Sequence, residues 1–296
     1  PSKMNFATVD FLGHRMNKLV ELDKDHLMVI GAAGEAAILS DFLHSANDSK
    51  HEMSLSRVSR IPDHDYRDAI QGKDCPILLS YDGHLVEYRD SNPKELTDHK
   101  LPITECLAIW DYDNTRYAVI GKHDLCIVSK ANLSGKKVET IEIENTVCAV
   151  GTWMGQKAFA DVKGRIFNLQ AGNLHLLQEV NLPSQPTTFA WNDTTNYGAI
   201  GCRDGSIYFQ KGEKNNIVKG HNSIISGLFF DGNILYSGSF DKNLIRWDLE
   251  PSNSGLFVLS SHTSWVTSIC FIKPNLLCSM QKDGRIRFMR PDVELL

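Results

Sequence analysis

At 296 residues, with 42% apolar and 23% charged side chains, the chain is large enough to bury a core without disulfides or metal. Its formal charge of −5 argues against sequence-independent nucleic-acid binding, which needs a clustered basic surface to displace counterions. No apolar run approaches the ~18 residues of a membrane span, and the amino-terminal "PSKMNFATVDFLGH" lacks a signal-peptide core. Neither nucleic acid nor membrane is expected as a direct partner.

The chain opens on "NFATVDFLGH", an extended stretch suited to a strand over Phe6 to Phe11. A weak hairpin signal follows at "AAGEAAILS", and then a polar run, "FLHSANDSKHEMSLSR", which reads as an extended loop. From there a single pattern recurs. "SYDGHLVEY", "GKHDLCIVS", "DVKGRIFNL", "CRDGSIYFQ", "SFDKNLIRW" and "MQKDGRIRFM" place a turn at Asp82, Asp124, Lys163, Asp204, Asp241 and Asp283. The spacings are 42, 39, 41, 37 and 42 residues. In each unit an apolar, β-branched run enters the turn and an alternating run leaves it, as hairpins joined by Asp-Gly-type turns do. Earlier runs such as "SIISGLFF" and "WVTSICFI" supply a further strand. No capped helix is expected, so the chain is all-β.

A period near forty residues with four short strands is the mark of a β-propeller blade. "GHNSIISGLFFDGNILYSGSFDKNLIRWD" resembles a WD repeat, with its Gly-His, its Ser-Gly-Ser-x-Asp turn and its terminal Trp-Asp. "SHTSWVTSICFIKPNLLCSMQKDGRIRFM" is similar to a second, eroded copy. The resemblance implies a single seven-bladed propeller of four-stranded antiparallel blades over 1–296. It also implies that the amino-terminal strand completes the last blade, because the final unit stops at Arg290 without an outer strand.

His221, Asp241 and either Ser237 or Ser239 are the residue types of a hydrolase triad. Ser237 sits in an apolar run beside Leu235 and Tyr236, so its hydroxyl should point inward. The resemblance assigns His221, Ser237 and Asp241, with Trp247, to a structural tetrad: Asp241 accepts from His221, His221 meets Ser237, and Ser237 accepts from the Trp247 indole. His262, Ser279 and Asp283 hold the corresponding places in the next unit, where Met289 replaces the tryptophan. Tyr88 and Gln210 take that place in two others. A catalytic group is not expected to recur in part from blade to blade.

Other clusters read as surface. "PDHDYRD" (Asp63, His64, Asp65, Asp68) lacks the rhythm of a calcium loop, and "WDYDN" reads as a turn. "LSGKKVE" is no phosphate-binding loop, so no cofactor or metal is implied. The seven cysteines are scattered without a Cys-x-x-Cys pair. They suit the reduced thiols of a cytoplasmic or nuclear protein.

In WD-repeat proteins partners often dock where the turns and the loops entering each blade meet solvent. By position these are Tyr81, His123, Arg203, Phe240 and Lys282 before the turns, and Ser223, Ile224, Ser264 and Trp265 after the histidines. The expected function is a non-enzymatic, monomeric scaffold or adaptor that binds protein or peptide partners there within a multiprotein complex. A reader of phosphorylated or acidic motifs and a purely architectural subunit are the alternatives.

Overall fold

Apolar runs between tight turns dictate antiparallel meanders, and these make up the computed structural model. It describes residues 6–10, 16–40, 54–55, 59–60, 64–89, 92–95, 100–133, 138–249, 255–272 and 276–290. No helix occurs among the described residues, hence none long and apolar enough to cross a membrane. The strands divide between two units, Pro1–Ile143 with Cys270–Leu296, and Glu144–Ile269.

In the first unit, β1 (Phe6–Asp10) is followed by β2 (Met16–Asp23), β3 (His26–Gly31) and β4 (Glu35–Ser40). Two short strands, β5 (Ser54–Leu55) and β6 (Ser59–Arg60), both pair with β4. The end of the stretch read as a loop is therefore a strand, and the rest of that loop lies outside the described residues. A second meander comprises β7 (Tyr66–Gln71), β8 (Pro76–Ser80), β9 (Leu85–Arg89) and β10 (Asn92–Glu95). A third comprises β11 (Cys106–Asp111), β12 (Arg116–Gly121), β13 (Asp124–Ser129) and β14 (Glu139–Glu142).

The second unit holds β15 (Val147–Trp153), β16 (Gln156–Asp161), β17 (Arg165–Gln170) and β18 (Asn173–Glu179), then β19 (Pro186–Asn192), β20 (Tyr197–Cys202), β21 (Ser206–Lys211) and β22 (Lys214–Lys219). These two meanders form one eight-stranded sheet, joined by a single parallel pair, Gly151 with Phe189. A Cβ at Gly151 would lie 2.4 Å from the Phe189 carbonyl oxygen, so only glycine allows that approach. The next meander is β23 (Ile225–Asp231), β24 (Ile234–Ser239), β25 (Asn243–Asp248) and β26 (Gly255–Ser261). The boundary between the units falls within β27 (Val266–Ile272), which precedes β28 (Leu276–Gln281) and β29 (Arg285–Met289). That sheet runs β1-β29-β28-β27, with Phe6 opposite Met289 and Asp10 opposite Arg285.

Burial explains the sequence pattern. The second strand of a meander is covered on both faces, so β8 and β28 are buried throughout, and β3, β12, β20 and β24 at every residue but one. Such strands read as continuous apolar runs, whereas exposed outer strands such as β22 do not. Cores form between consecutive sheets: Met28, Ile30, Tyr66, Leu78 and Tyr88 in the first unit, and Ala199, Ile207, Ile225, Leu235 and Trp247 in the second.

The first strands carry a feature invisible in the repeat. Register slips by one residue at Asn17, Arg67, Leu107, Cys148, Thr187 and Ser226, each the second residue of its strand. A β-bulge re-aims the extra side chain. Here it reaches the next first strand: Asn17 Nδ2 donates to the Tyr66 carbonyl at 2.7 Å, Thr187 Oγ1 to that of Ile225 at 2.6 Å, and Ser226 Oγ to that of Val266 at 2.5 Å.

The structure also corrects the turn at Asp124. Asp124 opens β13 and the turn is only Lys122–His123, one residue shorter than the turns Arg203–Gly205, Phe240–Lys242 and Lys282–Gly284.

Thr187→Val keeps the shape and removes the hydroxyl. It should cost ~1–2 kcal/mol in urea unfolding, because the Ile225 carbonyl loses its donor. An unchanged midpoint would show that the latch carries no stability.

Candidate functional site

His221, Ser237, Asp241 and Trp247 are brought together by β24, β25 and the chain entering β23. His221 Nδ1 lies 2.9 Å from Asp241 Oδ2, and Nε2 lies 2.7 Å from Ser237 Oγ. The Trp247 indole N–H donates to the same oxygen at 2.8 Å. The Asp241 carboxylate can only accept, so an uncharged His221 presents Nδ1–H to it and leaves Nε2 to accept from the Ser237 hydroxyl, whose oxygen in turn takes the indole N–H.

The distances are those of a Ser–His–Asp triad, but burial separates this arrangement from a hydrolase. His221 and Ser237 are both 0% exposed, and the oxygen that would attack a substrate is occupied by an indole. Burial depresses the His221 pKa most strongly, with Asp241 and Ser237 pulling the other way. Burial also opposes ionisation of Asp241, yet the backbone N–H groups of Asn222 and Asn243, with His221, hold its carboxyl below the usual range. Each partner's demand is met by another member, which is what a buried polar group requires.

The turn itself is a repeated device. The fourth position from the end of the entering strand takes positive φ: Gly83 (94°), Gly164 (80°), Gly205 (90°), Gly284 (94°) and, in the best-matched repeat, Lys242 (75°). Two residues before the turn aspartate, a polar group braces the corner. Ser239 Oγ accepts from the Asp241 N–H, and Ser80 Oγ from the His84 N–H. At "DVKGR" the brace is Asp161, fully buried, which accepts from the N–H groups of Lys163 and Arg165 and from Arg165 Nε. Matching the turn to Lys163 hid Asp161, two positions upstream.

The other tetrad positions diverge. The buried Tyr88 hydroxyl donates to the Ala36 carbonyl at 3.5 Å, and Ser80 Oγ donates to Asp82. The Gln210 side-chain oxygen accepts from the Tyr208 hydroxyl and from Gln178. His262 and Ser279 are buried, and Asp283 caps its own turn by accepting from the Arg285 N–H at 3.2 Å.

The outward neighbours fall into two sets. In the second unit, the rings of Phe240 and Trp265 stack at 4.6 Å with 12° between their planes. Trp265 is 41% exposed, Phe240, Ser223, Ile224 and Ser264 are half-buried, and Arg203 is exposed. In the first unit, Tyr81 lies under the Arg67 guanidinium (4.5 Å) and donates its hydroxyl to Glu105 (2.7 Å). Lys122 binds Glu105 at 2.9 Å and the exposed His123 stands 3.5 Å from it. Hydrogen bonds from Lys122 and Tyr81 hold the Glu105 carboxyl below its ordinary range. Lys282 is exposed in its turn.

Nucleophilic cysteine chemistry finds no support. Burial pushes the thiols of Cys75, Cys106, Cys202 and Cys270 up to about 12, and only the thiolate is reactive. Among the described residues no group of three or more His, Cys, Asp or Glu could hold a metal ion. Of "PDHDYRD", Asp68 binds Lys18 (2.7 Å) and the Ile109 N–H, and Asp65 binds Arg67; Asp63 lies outside the described residues. Trp110 and Asp111 of "WDYDN" belong to β11, and Asp113 caps the turn that follows.

Comparison with known proteins finds a repeat family on this stretch of the chain. The family model for the WD domain, G-beta repeat, matches residues 212–248, the span that carries all four tetrad residues. The 66 kDa stress protein of Physarum polycephalum is 37% identical over 73 residues, 24% of this chain and 12% of that protein. WD repeat and FYVE domain-containing protein 1 of Mus musculus is 30% identical over 107 residues, 33% of this chain and 26% of its own length. Telomerase protein component 1 of Mus musculus is 30% identical over 80 residues, 25% of this chain and 3% of that protein. The chain thus aligns with about a quarter or less of each of these relatives. Residues 212–248 are a WD40 repeat, within a chain that is distantly similar to WD-repeat proteins.

Asp241→Ala should destabilise the protein by ~1–3 kcal/mol, since His221 and two backbone donors lose their acceptor. The pH dependence follows from His221. Its native pKa is depressed below 6.5, so the unfolded chain binds the extra proton first on acidification. Its contribution is complete above that value and is lost as pH falls below it. Urea midpoints between about pH 7 and 5 should therefore fall less steeply in His221→Asn than in the wild type. Equal slopes would refute a buried neutral His221.

Proposed function

We propose that residues 1–296 form one seven-bladed β-propeller acting as a non-enzymatic scaffold or adaptor. WD40 domains generally mediate protein interactions. Three features support the ring: the described strands group as seven successive meanders, the forty-residue period covers them, and β1 pairs with β29 as a closing strand would. On this reading β1 completes the blade of β27, β28 and β29.

The Phe240–Trp265 stack carries the functional proposal. Two aromatic rings lie face to face, one of them 41% exposed, beside the turn of the best-matched repeat. Aromatic side chains of this kind dominate binding energy at interfaces, and exposed apolar surface usually marks a docking site. A protein or peptide partner covers that stack with an apolar side chain. Ser223, Ile224 and Ser264 supply its rim, and the ring reading adds Tyr81, His123 and Lys282 from the other turns.

One observation favours an acidic or phosphorylated motif within that partner. Lys163, Arg203 and Lys242 occupy neighbouring turns of the second unit, are exposed, and form no ion pair among the described residues. Guanidinium and ammonium groups held this way suit carboxylate or phosphate.

The test is quantitative affinity capture with the wild type, Phe240→Ala/Trp265→Ala and Arg203→Glu, alongside thermal melts. The aromatic double variant should keep its melting temperature and lose its partner by at least tenfold, as removing a hot spot of ~2 kcal/mol does. Loss with Arg203→Glu as well would identify an acidic motif. Identical partners captured by a folded double variant would place the docking surface elsewhere.

A further inference from the structure

The second unit holds a cleft of about 400 Å³ away from these turns, open between the outer strands of two consecutive meanders. Tyr197 and Phe209 line one side, Trp247 and Leu256 the other, and Lys211 and Lys214 stand beside them. The Lys211 ammonium sits 4.5 Å from the centre of the Tyr197 ring. Trp247 therefore has two roles: its indole nitrogen faces inward to Ser237, while its ring helps to wall this cleft.

The strand bordering the cleft is unusual. β26 is the last strand of its sheet and exposes three consecutive apolar residues, Leu256 (44%), Phe257 (42%) and Val258 (55%). Its sequence, "GLFVLSS", has no charge and no proline. Edge strands are normally blunted by charge, proline or a cover, because an unprotected edge recruits another strand. β26 carries none of the intrinsic defences, and the cleft beside it offers an aromatic pocket.

We propose that β26 and this cleft bind an extended acidic–apolar segment of another protein. The segment adds as a strand along β26, seats one apolar side chain between Phe209 and Trp247, and sets carboxylates against Lys211 and Lys214. Charge complementarity selects this occupant. Neither lysine has an ion pair among the described residues, and the one carboxylate lining the cleft, Asp248, is engaged by Arg246 at 2.8 Å. A second copy of this chain would offer an uncharged β26 and leave those cations unanswered. Strand addition gives affinity through backbone hydrogen bonds, and the pocket and charges give specificity.

The probe is a fluorescein-labelled synthetic peptide, DELFVDE, titrated into the protein and followed by anisotropy, with KKLFVKK and DESSTDE as controls. DELFVDE should bind, and both controls should bind at least tenfold more weakly. Lys211→Glu/Lys214→Glu should weaken DELFVDE at least tenfold, while Phe240→Ala/Trp265→Ala should leave it unchanged, which separates this site from the turn-side surface. If the charge-reversed protein does not fold, the wild type decides. Its affinity for DELFVDE should drop steeply between about 50 and 500 mM salt, as a screened charge contact does. Equal binding of the acidic and basic peptides, no binding at all, or no salt dependence overturns the proposal. So does a dimer in sedimentation velocity that Val258→Lys abolishes, since that assigns the edge to a second copy.

Discussion

A strand covered on both faces makes an unsatisfied polar atom costly, and this constraint organises the tetrad and the turns. The second strand of each meander is such a strand. A hydroxyl, imidazole or carboxylate that enters its neighbourhood is stabilised by a partner within the same sheet or the next. Ser237 finds His221 and Trp247, Asp161 finds its own turn and Arg165, and Gln210 finds Tyr208 and Gln178. The solutions differ because the constraint specifies satisfaction, not residue identity. That freedom is why the repeat erodes so readily outside 212–248.

The same constraint removes chemistry from the interior. A serine within 2.7 Å of a histidine that meets an aspartate would be a nucleophile in an open cleft. Here the members saturate one another, and nothing is left to act on a substrate. Groups available for recognition stand where the covering stops, at the turns and along the outer strands. The turns of the second unit present stacked aromatics with cations nearby, and the outer strands present an apolar edge beside cations. As docking sites, which is what we propose for them, both surfaces would suit partners that combine an apolar anchor with negative charge.

Much of this was legible in the chain because hairpins depend on local chemistry. Asp82, Asp204 and Asp283 precede a glycine that supplies positive φ, and Asp241 precedes Lys242, which adopts it at a cost. The tetrad was legible from the WD-like letters. Three features were not. The turn Lys122–His123 is short, yet "GKHDL" keeps the spacing of its neighbours, so a one-residue deletion leaves no trace in the period. Thr187 and Ser226 look like ordinary polar residues of half-exposed strands; only the bulge, a property of two paired strands, turns them toward the next meander. The outer strands, such as "KNNIVK" in β22, are exposed on nearly every residue and so lack alternation. Trp265 and Phe240 could be named separately, but their stacking joins residues from different meanders.

The pairing of β1 with β29 has a consequence in time. Among the described residues, every other antiparallel partnership links strands that leave the ribosome close together, whereas Asp10 and Arg285 lie 275 positions apart in sequence. At roughly 5–20 residues per second, the partner of β1 emerges on the order of 15–60 s later. For that interval β1 has no complementary edge, and the meanders between can fold locally before it is needed. β1 is thus placed after the meanders that follow it, and a nascent chain would be vulnerable there to capture by any other open edge.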